Sequence, residues 1–217
     1  MRFAACLSVL LLSSAPAQAH PHMFLDTGLN PVFNDKGQLA GVRVIWLYDA
    51  FYSLLMIEEG GFDADGDGQL SESEEAALAG FDQNPDKGYT GTTRAYLGDR
   101  ELALSPPVEP HVTLEAGQLI STHLRLFEEP LDPAGAPVFL RTFDPTYYAA
   151  FDLSLTPRIE GEAECTLAVV EPDEGAANAD LEALLASPSG AGYDEYNFPE
   201  VGETFADTLK LDCRATG

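Results

Sequence analysis

The stretch Asp63-Ala-Asp65-Gly-Asp67-Gly68-Gln69-Leu70-Ser71-Glu-Ser-Glu74 sets oxygen donors at its first, third, fifth, seventh, ninth and twelfth positions. With this spacing a loop between two helices wraps calcium, a hard cation that takes roughly six to eight oxygens at 2.3–2.6 Å. The donors are the carboxylates of Asp63, Asp65 and Asp67, the backbone carbonyl of Gln69, Ser71 through a water, and a bidentate Glu74. Gly68 falls where the chain must turn into a conformation that a Cβ resists, and Leu70 is the apolar residue expected to point back at the flanking helices. Gly60-Gly61, just before the loop, is expected to weaken the last turn of the entering helix. The sequence holds no second loop of this kind. A lone loop fits a structural calcium site, with the dissociation constant of about 10⁻⁴–10⁻³ M found in extracellular modules.

A second set of donors is His20-Pro21-His22-Met-Phe-Leu-Asp26. As a strand it puts His20, His22, Phe24 and Asp26 on one face, with the two histidine Cα atoms about 6.6 Å apart. Both imidazoles then reach one metal ion. Pro21 has no N–H to lose, so square-planar copper or nickel binding through deprotonated backbone amides is blocked. What remains is a site of imidazoles, a freed α-amine and carboxylates from elsewhere, which suits zinc, nickel, cobalt or copper. The plainer alternative is a frayed terminus whose histidines bind nothing.

The elements around these donors follow from the rest of the chain. Arg2, the apolar run from Ala4 to Leu12, and Ala17-Gln18-Ala19 read as a secretory signal peptide over residues 1–19, cleaved after Ala19. The run is too short to cross a bilayer and no other stretch is long and apolar enough, so the expected product is one exported domain, 20–217, that does not span a membrane. Acidic residues number 36 against 11 basic ones in 217, a formal charge of −25 that argues against nucleic acid as a partner and for cation attraction. Outside the signal, Cys165 and Cys213 sit in strand-like runs and read as one disulfide in an oxidising compartment.

Residues 41–46 alternate as a strand, and Asp49 offers an N-cap to a helix carrying Phe51, Leu54, Leu55 and Glu58 at helical spacing. A second helix is expected from Glu72 to Leu78, with a turn over 84–88 closing a helical insertion at about 48–85. Strands are expected over 92–97, 101–104, 111–115, 119–127 and 138–143, and a short helix over 176–186. In the 119–127 strand, Ile120, Leu124 and Leu126 share a face, which predicts that His123 lies exposed with Ser121 and Arg125 on the other. His111, after Pro110, reads as part of a loop. The fold class is α+β: mostly antiparallel strands with an EF-hand-like calcium-binding insertion.

Taken together, five stretches resemble the domain-of-unknown-function 1007 family of exported bacterial proteins. They are His20-Pro-His22 with Asp26, Trp46-Leu-Tyr-Asp49-Ala-Phe-Tyr52-Ser53, the acidic loop, Phe143-Asp144-Pro-Thr-Tyr-Tyr148, and Gly202-Glu-Thr-Phe-Ala-Asp207 before Cys213. The resemblance implies a periplasmic component that works with an inner-membrane metal permease of the nickel/cobalt type. It also adds Asp49 and Asp144 to His20 and His22 as candidate metal ligands, being the acids in those motifs.

Three functions are consistent with these residues. The first is a non-enzymatic periplasmic protein that captures or delivers a transition metal (zinc, nickel, cobalt or copper) and carries structural calcium. The second is a calcium-stabilised interaction module whose histidines are incidental. The third is a copper enzyme with an N-terminal histidine brace, which needs His111 or His123 as its second imidazole because His22 is too near in sequence.

Overall fold

The computed structural model describes residues 21–83, 92–194 and 197–214. It contains β1 (Met23–Phe33), β2 (Leu39–Tyr48), α1 (Ala50–Gly60), α2 (Glu72–Leu78), β3 (Thr93–Leu97), β4 (Arg100–Leu102), β5 (Val108–Glu115), β6 (Gln118–Leu131), β7 (Val138–Thr142), β8 (Ala149–Asp152), β9 (Cys165–Val170), α3 (Glu174–Ala186) and β10 (Thr208–Cys213). The strands form two five-stranded sheets, ordered β5-β6-β2-β1-β8 and β4-β3-β7-β10-β9. Every ladder is antiparallel except β1 with β8. The α+β class dominated by antiparallel strands therefore holds.

Alternation of side chains explains the single core. Val42, Val44, Trp46 and Leu119 from the first sheet join Ala95, Val138, Leu140, Leu209 and Leu211 from the second in one buried cluster. Because strand side chains point to opposite faces with period two, each sheet contributes one face to this cluster. Gly41 lets β2 approach β6 closely: the carbonyl oxygen of Arg125 lies where a Cβ would need to be.

β2 runs through Tyr48 directly into α1, whose first turn is capped by the Asp49 carboxylate accepting from Tyr52 N–H at 2.8 Å. Helical spacing of the apolar residues does not give the buried face here. Phe51, Leu54 and Leu55 point outward, at 77%, 56% and 38% exposed, while Ser53 and Ile57 face the core. The reason is a hydrogen bond: Ser53 Oγ accepts the Leu119 N–H of β6 at 2.9 Å, and a small residue there brings the helix against the strand. α1 ends as Gly60-Gly61 implied. Gly61 adopts the left-handed conformation (φ 63°), and its N–H and that of Phe62 return to the carbonyls of Glu58 and Ile57.

Several strands fall where the sequence placed them, and others were longer or unforeseen. His111 lies within β5, paired with Thr122, where the strand expected over 111–115 placed it and not in the loop its prolines suggested. The helix expected over 176–186 starts two residues earlier, at Glu174, with Asp173 as its cap. The turn expected over 84–88 and the segment 1–20, including His20, lie outside the described residues.

Cys165 and Cys213 face each other across the β9–β10 ladder and are joined by a disulfide that closes a separation of 48 residues. Constraining a loop of this length in the unfolded chain stabilises the fold. The double variant Cys165→Ala/Cys213→Ala should lose about 2–4 kcal/mol in chemical denaturation. A denaturation midpoint equal to the wild type's would show that the bridge does not stabilise the sheet edge.

Candidate metal centres

The acidic loop joins α1 to α2 and is ordered by its own carboxylates. Asp63 Oδ1 accepts from the N–H groups of Gly66 (2.8 Å) and Asp67 (3.2 Å), and Oδ2 from Gly68 (2.9 Å). Gly66 and Gly68 are both left-handed, at φ 71° and 77°, the conformation that lets the chain curl around Asp63. Glu74 ties the ends of the loop together: Oε1 accepts from Ala64 N–H and Oε2 from Ser71 N–H, both at 2.8 Å. These backbone donors hold the Glu74 carboxyl below its ordinary pKa. Leu70, like Phe62, packs against the main core.

Oxygens of Asp63, Asp65 and Asp67 lie within 4.8 Å of one another. Three carboxylates so close repel unless a cation stands among them. The donor set is all oxygen, which suits a hard divalent cation and not a soft one. Among the described residues, this is the only group of three or more His, Cys, Asp or Glu side chains close enough to hold a metal.

The histidine end is built differently. The His22 and Met23 N–H groups both donate to the Tyr148 carbonyl, at 2.8 and 3.2 Å, which fixes the start of β1 against β8. The His22 ring stacks on that of Tyr148, centroids 4.8 Å apart. Tyr52, one turn into α1, stacks on Tyr48 and has its pKa raised by burial first and then by Asp82, Tyr148 and Asp49. The histidine motif, the Asp-Pro-Thr-Tyr-Tyr motif and the start of α1 are thus neighbours. Asp49 and Asp144, however, are engaged in local structure. Asp49 caps α1, while Asp144 accepts from Thr146 N–H and Oγ1 at 2.9 Å each and from Ala149 N–H at 3.3 Å. With His20 outside the described residues, His22 is the sequence-predicted imidazole whose surroundings are defined.

A set of polar side chains went unforeseen in the interior. Ser121, His123 and Arg125 are 1%, 1% and 2% exposed and project into the core between Leu119 and Phe127, so the expectation of an exposed His123 is reversed. Leu126 lies on the outer face instead, 38% exposed. The physical reason is register. β6 pairs with β2 so that Trp46 is opposite Ser121 and Val44 opposite His123, which places the face of β6 that carries the polar residues over the core side of β2. The His123 and Trp46 rings meet edge to face, centroids 4.9 Å apart. Nearby, Tyr48 donates to Asp82 at 3.1 Å, and burial raises the Asp82 pKa against the opposing pull of hydrogen bonds from Ser121 and Tyr48. The sequence does carry a signal for this stripe: Leu119 and Phe127 share its period-two face.

Residues 5–213 match the family described as Protein of unknown function (DUF1007), and the chain belongs to that family. No curated protein matches the chain.

Burial, and then the Arg125 charge, lower the His123 pKa from 6.5 to about 3. The unfolded chain takes up this proton and the folded one does not, so stability falls as pH drops from 6.5 toward 3. Asp82, with its raised pKa, contributes in the opposite sense, its share of stability falling as pH rises above the ordinary carboxyl value. Histidine NMR should find His123 neutral at pH 5, and His123→Gln should flatten the loss of stability below pH 6.5 by a few kcal/mol, on the order of the shift. A charged His123 imidazole at pH 5.5 would contradict this burial.

Proposed function

We propose that this chain is an exported, non-catalytic metal-binding protein that carries structural calcium in an EF-hand-like insertion and captures or delivers a transition metal at its N-terminal histidines. The observation that supports it best is the loop of residues 63–74, whose three aspartates converge within 4.8 Å between two helices. Calcium there offsets the mutual repulsion of Asp63, Asp65 and Asp67, with Gln69, Ser71 and Glu74 completing the shell. It then locks α1 and α2 together, since Phe62, Leu70 and Leu78 already pack on the common core.

For the transition metal, the supporting observation is the anchoring of the histidine motif. The Tyr148 carbonyl and ring hold His22 just before β1, and in this reading His20 adds its imidazole and amine beside it. Asp49 and Asp144 already accept local hydrogen bonds, with lone pairs left over for a metal in this reading. Zinc, nickel, cobalt and copper all suit imidazole ligands. The partner in this reading is an inner-membrane metal permease and the compartment is the periplasm, both from the family resemblance, with residues 1–19 as the signal peptide.

The interaction-module reading has one observation in its favour, the outward Phe51, Leu54 and Leu55 of α1. The copper-enzyme reading is weakened by the place of His123, closed in behind Trp46 and within the core.

Millimolar calcium should raise the melting temperature of the wild type, and Glu74→Gln should abolish most of that rise. An unchanged melting curve would sink the calcium site. Native mass spectrometry on protein processed at His20, offered zinc, nickel, cobalt and copper in turn, should find one transition metal beside one calcium, with His20→Ala/His22→Ala retaining calcium alone. Calcium alone in both proteins would leave the histidines incidental and favour the interaction module.

A further inference from the structure

A cavity of about 400 Å³ opens between β8, the segment Gly202–Phe205 and the start of α3. Its walls are aromatic. Phe24 of β1 and the β8 residues Ala149–Asp152 line it together with the stacked pair Tyr147 and Phe205, centroids 4.3 Å apart and 11° from parallel, while the Phe151 ring itself turns toward Trp46 in the core. Tyr147 is held in the left-handed region at φ 56°, rare for a residue with a bulky side chain, with its N–H donating to the Asp144 carbonyl. Gly202 lets the opposing segment close on the same turn, since the Asp144 carbonyl oxygen takes the place of a Cβ.

The charge in this cavity has one sign. Asp152, Asp207, Glu171 and Glu174 line it, and none of the described lining residues is basic. The nearby guanidinium of Arg141 is already taken by Glu203, at 2.7 Å. Asp152 feels the missing counter-charge: burial raises its pKa, and so do Asp207 and its strand neighbour Asp26.

A bare metal ion fits poorly here, because these carboxylates do not converge as Asp63, Asp65 and Asp67 do. Aromatic faces together with diffuse negative charge suit a cation whose charge sits on an apolar body. The volume is that of a small-molecule site. We propose that this cavity binds a small organic cation, an ammonium group carried on an alkyl or aryl body, with the rings enclosing the apolar part and Asp152 and Asp207 facing the charge. The site is distinct from the acidic loop and adjoins the histidine motif, Phe24 lying two residues beyond His22 on β1, but its occupant does not depend on the metal-handling reading.

The test is isothermal titration calorimetry of the full exported chain with benzyltrimethylammonium at physiological ionic strength, beside the neutral isostere neopentylbenzene. The cation should bind saturably with one site per chain, and the isostere should not bind. Phe24→Ala and Asp152→Asn should each weaken binding about tenfold. Glu128→Gln, an acid on the far strand β6, should leave it unchanged. Phe24 is 65% exposed, so its truncation leaves the core intact and keeps the test decisive even if Asp152→Asn melts early. The proposal is overturned by no saturable binding, by equal binding of the isostere, by unaltered affinity in Phe24→Ala, or by Glu128→Gln weakening binding as much as Asp152→Asn, which would mark diffuse attraction to an acidic protein.

Discussion

The antiparallel pairing of β2 with β1 on one side and β6 on the other is the constraint on which the remaining structure depends. β2 matches β1 from Tyr48 back to Leu39 and β6 from Leu47 back to Leu39, so it cannot slip by one residue without turning Val42, Val44, Trp46 and Tyr48 out of the core. It also delivers the chain into α1 at a fixed point. Tyr48 is the last strand residue, Asp49 the helix cap, and Gln118 at the start of β6 donates to the Tyr48 carbonyl at 2.9 Å. The acidic loop therefore hangs from the end of the most constrained strand, braced by Ser53 against β6 and by Leu78 in the core.

The second sheet is tied to the first by fewer and more local devices. Leu153 N–H donates to Asp207 at 2.9 Å, and Arg43 of β2 meets Glu160 at 3.0 Å on the connection that leads from β8 to β9. The Gly202–Phe205 segment then closes against the Asp144 turn through Gly202 N–H to the Pro145 carbonyl. Motifs far apart in sequence are thus brought to one end of the molecule for a backbone reason. Only glycine permits that approach, and only there do Tyr147 and Phe205 stack.

Polar groups inside the fold have a cost that apolar ones do not, and three of the buried ones share one strand. Ser121, His123 and Arg125 lie in line along β6, with Arg125 Nε donating to the Ser105 carbonyl at 2.5 Å. A buried imidazole avoids the larger penalty by staying neutral, the state its low pKa describes. The acid-rich surface has the opposite character. Charges there stay solvated except where geometry crowds them, as in the acidic loop.

The sequence alone determined what depends on local spacing. The twelve-residue donor pattern, the Asp49 cap, the Gly60-Gly61 helix end and most strands are short-range properties, and they survive folding because backbone turns and caps are satisfied within a few residues. The pairing of Cys165 with Cys213 was legible too, since residues 20–217 offer only these two thiols. Tertiary structure decided which side of each element faces in. Periodicity says that Ile120, Leu124 and Leu126 share a face and that Phe51, Leu54 and Leu55 recur at helical spacing, but not which neighbour each face will meet. That choice was made by the β2–β6 register, which buried His123, and by Ser53 bonding to β6, which turned the apolar residues of α1 outward. The same holds for the cavity between β8 and α3: its rings and carboxylates come from four separate stretches, and their meeting is a long-range fact that no local spacing encodes.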